Sequence, residues 1–233
     1  PTGLEHRLVR VRAASRCVLR PSNNCPLGMD DAFPHTPTAR TTLYLVRHGE
    51  TEHNRRGIIQ GGGVDSELNE AGRAQARALA GRLRSEPVDA LYASTLQRAR
   101  QTATILTRPH QPLSRTHLRD LNEMDWGVFE GEPPSEERDA SMGAIKADWR
   151  AGNYNRSIEG GESIRDVQKR ARRALRHILR REEGRTALVV THGRYLRVLL
   201  PTPLQGPAPG PLPALGPATT GLTRAAMREW PAA

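Results

Sequence analysis

Arg47, His48 and Gly49 follow directly on the apolar run Leu43-Tyr44-Leu45-Val46. A neutral imidazole is a nucleophile near neutral pH, and a phosphoryl group suits it once the phosphate charge is offset. An arginine beside it supplies a planar fork of donors matched to phosphate oxygens. Gly49 lets the backbone turn and come close to a ligand. The design recurs in Val189-Val190-Thr191-His192-Gly193. Arg98 adds a second guanidinium, and His192, when protonated, a third donor. Glu123 follows Leu121-Asn122 and precedes a Gly-rich loop, where a carboxyl can hand a proton to a leaving alkoxide.

These side chains need elements to bring them together. The run before Arg47 reads as a buried strand ending at the Arg-His-Gly triplet, and ligands of open α/β sheets bind at such carboxyl ends. A second strand is expected over 88–94 and a third over 113–118. The fourth, over 187–190, leads into His192. Asn69 caps a helix with Ala76, Leu79, Ala80 and Leu83 inward. Another helix begins at Thr95, with Leu96, Ala99, Ala103 and Leu106 on one face. Its N-terminus places Arg98 at the same sheet edge and adds a dipole that favours an anion. Ser163 caps a third, carrying Ile164, Val167, Ala171, Ala174, Leu175, Ile178 and Leu179 at helical spacing, and Gly184 stops it. A short helix follows over 195–200. Residues 123–162 read as a long functional loop with a short helix over 140–149. The β-α-β-α order predicts a parallel sheet with right-handed crossovers.

Each residue alone has a plainer explanation. Arg-His pairs are usually structural, a histidine after a strand is usually a hydrogen-bonded core residue, and an isolated glutamate usually faces solvent. Convergence of all of them on one sheet edge changes the balance. Metal binding is the rival use of two histidines. Arg47 and Arg98 would repel a cation, and no Asp/Glu/His spacing completes a ligand set.

The chain has 233 residues, a formal net charge of +10 and a mean hydropathy of −0.62. No stretch approaches the ~18 apolar residues of a membrane helix. The cations are nearly all arginine, with lysine only at Lys146 and Lys169. They spread over helix faces without interleaved aromatics, which argues against nucleic acid as the partner; a positive field also draws small anions. Cys17 and Cys25 lie outside the core pattern, which fits a reducing cytoplasm. Residues 1–40 have no period and read as disordered or loosely attached. Met29 reads as the translation start, residues 1–28 then being an over-extended reading. Residues 41–200 form the catalytic domain. From Pro201 a Pro-rich tract over 201–233 reads as irregular, and its abruptness points to a frameshift near Leu200, leaving a strand edge uncovered.

Leu45-Val46-Arg47-His48-Gly49-Glu50-Thr51 with Asn54 resembles the signature of the histidine phosphatase superfamily, the phosphoglycerate-mutase-like proteins. So do Ser94-Thr95-Leu96-Gln97-Arg98-Ala99, Leu121-Asn122-Glu123 with Gly127, Gly160-Gly161-Glu162-Ser163, and Thr191-His192-Gly193. The resemblance covers about residues 41–200. It implies a three-layer α/β/α sandwich with a mostly parallel central sheet and a phosphomonoester hydrolase acting on a small phosphorylated metabolite. It implies His48 as the phosphorylated nucleophile, and Arg47, Arg98 and His192 as the phosphate pocket. Glu123 would be the general acid and later the base for water. Asn54 and Gln60 would help line the pocket. No metal or organic cofactor is implied. The short 123–160 segment resembles the broad-specificity and α-ribazole phosphatase branch; the longer insertion of the mutases, which transfer phosphate between hydroxyls, marks the alternative. A phospho-ligand binder without catalysis, or a defective product, is the third reading. His53, where Trp or Tyr is frequent, and one extra residue in 61–65 depart from the family pattern.

Overall fold

The structure is a computed structural model and describes residues 8–14 (backbone only), 40–110 and 112–200. Its centre is a five-stranded sheet in the order β1-β2-β5-β3-β4. The strands are β1 (Leu8–Ala14), β2 (Arg40–Arg47), β3 (Ala90–Ala93), β4 (Ser114–His117) and β5 (Thr186–Thr191). β2, β5, β3 and β4 run parallel, and β1 is antiparallel to β2.

Side chains alternate across the sheet as the strand period demands. Leu43, Leu45, Tyr92, Ala187 and Val189 point to one layer. That layer holds α4 (Glu136–Arg150), α5 (Ile164–Arg181) and α6 (Gly193–Leu199). Tyr44, Val46, Leu91, Leu188 and Val190 face the other. There α2 (Glu70–Leu83) and α3 (Gln97–Leu106) pack Leu79, Leu83, Ala99, Ala103 and Leu106 against them. The result is the three-layer sandwich expected from the sequence.

Caps set the helix starts. Asn69 accepts the Gly72 N–H at 2.8 Å at the head of α2. Ser163 and Asp166 form a reciprocal capping box on α5. Gly184, at φ +71°, carries the turn between α5 and β5. α4 is longer than the expected 140–149: Ser135 caps it, and Glu136, Glu137 and Asp139 favour its positive end. One further turn, α1 (Glu52–Arg55), lies in the loop after β2, closed by a Thr51–Asn54 capping box.

Residues 8–14 depart from the irregular reading of 1–40. Val9, Val11 and Ala13 alternate with Arg10 and Arg12 in sequence, and β1 pairs with the outer edge of β2 from Leu8↔Val46 to Ala14↔Arg40. That partner lies about thirty residues away, beyond the reach of a local reading. The outer edge of β2 is thereby paired. The rest of 1–39, and the tail over 201–233, fall outside the described residues.

Candidate active site

The parallel register pairs Arg47 with Thr191, so β2 and β5 end level. The His48 N–H donates to the Thr191 carbonyl at 2.9 Å. The imidazoles of His48 and His192 therefore meet, with ring centroids 5.1 Å apart and planes tilted by 57°. His48 is buried, and its Nδ1 donates to the Gly49 carbonyl at 2.7 Å. A carbonyl only accepts, so the proton sits on Nδ1 and the lone pair on Nε2. Arg47 lies against the second His-Gly unit: a Cβ built on Gly193 would stand 3.3 Å from Arg47 Nε.

His192 is fully buried, and its Nε2 lies 2.7 Å from Ser94 Oγ. Ser94 uses its own proton on Asn122 Oδ1, 2.8 Å away. His192 Nε2 therefore donates to Ser94. Its Nδ1 is buried with no hydrogen-bond partner. Burial, followed by the charges of Arg98, His48, Arg170 and Arg47, holds His192 well below its ordinary value of 6.5. The site thus presents a neutral imidazole with an unmatched acceptor, surrounded by guanidinium groups.

Arg98 is wholly buried at the second position of α3. It donates to Val64 O at 2.7 Å and to Gly61 O at 3.0 Å, while Nε has no partner. Burial draws its pKa down, and Glu123, Asp65 and Glu130 oppose that. Its helix is tied to the triplet: Thr102 donates to Arg98 O at 2.8 Å and accepts the Gly49 N–H at 3.0 Å. The α3 terminus itself is already engaged, because Asp65 Oδ1 accepts the Gln97 N–H at 2.5 Å. The anion-favouring dipole expected there faces a carboxylate of the protein.

Glu123 is buried over the start of α6. Its carboxyl oxygens accept the N–H groups of Met124 (2.9 Å), Arg194 (3.0 Å) and Tyr195 (2.8 Å). It caps the helix whose N-cap residue is His192. Asn54 and Gln60 gather instead on Thr51. Asn54 holds the capping box, Gln60 Nε2 donates to Thr51 Oγ1 at 2.8 Å, and Ser66 closes on Gln60 Oε1. Among the described residues no group of three or more His, Cys, Asp and Glu could hold a metal ion.

The family model described as Histidine phosphatase superfamily (branch 1) matches residues 43–229. The chain belongs to the histidine phosphatase superfamily. It is 37% identical over 161 residues to the Metal-independent phosphoserine phosphatase of Arabidopsis thaliana, covering 68% of this chain and 67% of that one. It is 36% identical over 170 residues to the Probable phosphoglycerate mutase GpmB of Yersinia pestis, covering 71% and 76%. Among solved structures, Bacillus stearothermophilus YhfR matches with a TM-score of 0.62 and 39% identity, over 69% of this chain and 78% of that one.

In this histidine phosphatase superfamily member, further side chains hold the site: sequence reasoning missed Arg170, and it met Glu130 and Glu162 only as parts of family-like motifs, without a role. Arg170 forks onto both oxygens of Glu162 at 2.8 Å and donates to the carbonyls of Asn122 (2.6 Å) and Glu123 (3.0 Å). Glu162 in turn accepts the Asp125 N–H at 3.0 Å. Glu130 accepts the N–H groups of Gly63, Val64 and Trp126, tying the two loops over Arg98 together. Burial, the largest influence, raises its pKa. One signal was available: Arg170 stands inside the apolar stripe of α5, between Val167 and Ala171. A buried arginine needs acceptors.

Proposed function

We propose that the protein is a phosphomonoester hydrolase that works through a phosphohistidine at His48, without a metal, on a small phosphorylated metabolite. The observation that carries the reading is the juxtaposed His48 and His192 pair between Arg47 and Arg98. His48 Nε2 attacks phosphorus as the bond to the leaving oxygen breaks. Arg47 and Arg98 offset the charge on the phosphoryl oxygens. His192 Nδ1, the unmatched buried atom, gains a proton beside the phosphate and donates it as a hydrogen bond. Glu123 protonates the leaving alkoxide. The resulting carboxylate then takes a proton from water as that water attacks the phosphohistidine, releasing inorganic phosphate and restoring His48. Asn54 and Gln60 act in this scheme by fixing the loop that follows the triplet. The chain without cysteine over 26–200 supports a cytoplasmic site of action.

A mutase is the second reading, supported by the likeness to GpmB. It transfers the same phosphoryl group to a second hydroxyl instead of water. The test is release of inorganic phosphate from p-nitrophenyl phosphate in the presence of EDTA, for the wild-type chain and His48→Ala. EDTA-resistant release that His48→Ala abolishes, with a labile phosphohistidine trapped in acid-free gels, supports the hydrolase. Phosphate transfer between phosphoglycerate hydroxyls with no release overturns it.

A further inference from the structure

α5 carries seven arginines and one lysine against a single acid, Asp166. Its apolar stripe is spent on the sheet, which leaves most of these cations outside. Arg173, Arg176, His177, Arg180 and Arg181 are exposed. They line a depression of about 480 Å³. A second, of about 500 Å³, shares Arg173 and His177 and is closed by Leu118, Arg119 and Asp120 after β4. The two make one groove along the flank of the molecule, with five arginines on its walls and one acid.

That acid is already engaged. Arg173 forks onto both oxygens of Asp120, at 2.7 and 3.1 Å. At the far end of α5, Glu182 is buried, takes the Tyr92 hydroxyl at 2.7 Å and pairs with Arg185 at 3.0 Å. His177 stands edge-on to buried Tyr92, with ring centroids 6.2 Å apart, so the groove is tied to the sheet. The remaining cations recur at helical spacing: Arg173, Arg176 and Arg180 cover two turns, about 10 Å. Like charges three and four residues apart weaken a helix by a few tenths of a kcal/mol per pair, and an anion laid along the row offsets that repulsion.

The groove leads away from the catalytic edge. It begins at Asp120, three residues before Glu123, and runs to Arg181, beside the start of β5 at the opposite edge of the sheet. Its chemistry selects the occupant. Among the described residues Val128 is the one large hydrophobic that is exposed, so no aromatic ring stands ready to stack a base and no apolar wedge to enter a bilayer. Depressions of this volume are the size of small-ligand sites and narrower than a nucleic-acid duplex needs. What fits is a slender chain of phosphates with nothing attached.

We propose that the groove between α5 and the segment after β4 binds inorganic polyphosphate, as a second anion site outside the catalytic pocket. Arg173, held in place by Asp120, fixes one wall. Arg176, Arg180 and Arg181 meet successive phosphates along the helix.

Fluorescence anisotropy of a fluorescein-labelled polyphosphate, titrated with the full chain, tests this. Arg176→Gln with Arg180→Gln removes two exposed charges at unchanged helix propensity. Arg77→Gln with Arg82→Gln removes the same charge from exposed positions on α2. The α5 pair is expected to weaken binding about tenfold, and the α2 pair to leave it near wild type. Arg176 and Arg180 lie outside the site around His48, so that loss places the chain in the groove. Equal losses in the two variants would show attraction by net charge alone and overturn the proposal. So would an α5 variant that binds like wild type, with circular dichroism confirming that each variant is folded. Duplex DNA at equal phosphate concentration and vesicles of phosphatidylglycerol and phosphatidylcholine compete in the same assay. Displacement that needs a large excess of either supports polyphosphate, and displacement at equal phosphate by DNA or by vesicles assigns the groove to that surface instead and overturns it.

Discussion

His192 Nε2 donates to the hydroxyl of Ser94, 2.7 Å away and 98 residues earlier in the chain. That contact decides which nitrogen of His192 faces the phosphate. Ser94 links the ends of β3 and β5, whose strands pair in parallel from Ala90↔Ala187 to Ala93↔Val190. Ser94→Ala removes the acceptor and leaves a buried N–H unmatched, at a cost of about 1–3 kcal/mol. The substitution also frees the ring to take the other tautomer. A fall of about tenfold or more in kcat/KM is expected in a chain that still folds, since loss of one preorganised donor costs that much or more. Steady-state kinetics with p-nitrophenyl phosphate, alongside circular dichroism, measures it; unchanged kinetics would show that Ser94 does not set the tautomer.

Arg170 should resist even a conservative exchange. Its fork meets Glu162 twice and reaches carbonyls of the segment that ends in Glu123. Lysine keeps the charge but not the planar geometry. Arg170→Met, which leaves Glu162 without its partner, is expected to cost about 3–5 kcal/mol. Arg170→Lys should cost less and still lower kcat through Glu123. Urea unfolding of the two variants against wild type checks the order; Arg170→Met matching the wild-type midpoint contradicts it.

Two glycines predict opposite signs. A Cβ on Gly49 would stand 2.5 Å from Gly72 O, a backbone atom that has no side-chain freedom to yield. Gly49→Ala is expected to destabilise by about 1–3 kcal/mol and to misplace His48. Gly81 in α2 has nothing within 4 Å of the place an added methyl would take. Gly81→Ala is expected to stabilise by about 0.5–1 kcal/mol. Thermal melts of both proteins read the signs directly.

The buried neutral His192 makes stability depend on pH. Its folded value lies well below 6.5, the ordinary value that the unfolded chain regains. Below that pH the unfolded chain binds the proton that the folded one refuses, so stability falls as pH falls and rises as pH is raised towards neutrality. Urea midpoints should therefore drop as pH is lowered from about 7 to about 5, the window set by an ordinary histidine. The His192 ring resonances should keep their neutral positions across that range. Adding inorganic phosphate should reverse this, with proton uptake on binding measured by calorimetry in buffers of different ionisation enthalpy.

Much of the site was legible before any fold was known. Strand residues announced themselves by apolar and β-branched runs, and Asn69 and Ser163 by local capping chemistry. Arg47, His48, Arg98 and His192 stood out because glycine turns and helix starts place them beside element ends. Asn54 and Gln60 came from the family resemblance, and their shared hydrogen bonds to Thr51, a residue of the same signature, emerged only in the structure. Ser94, Glu130, Glu162 and Arg170 act through contacts that join distant segments, and no local period encodes such contacts.

Sequence by itself determined the alternation of strand and helix, the order of the chemical groups along the chain and their position at strand ends, because these follow from side-chain period and backbone propensity within a few residues. Only the tertiary structure decided that β5 lies between β2 and β3, the order through which the expected meeting of His48 and His192 comes about, that β1 closes the β2 edge, and that Glu123 caps the helix begun by His192. Those choices rest on pairing and burial between segments far apart in the chain, and their energy exists only once the sheet has assembled.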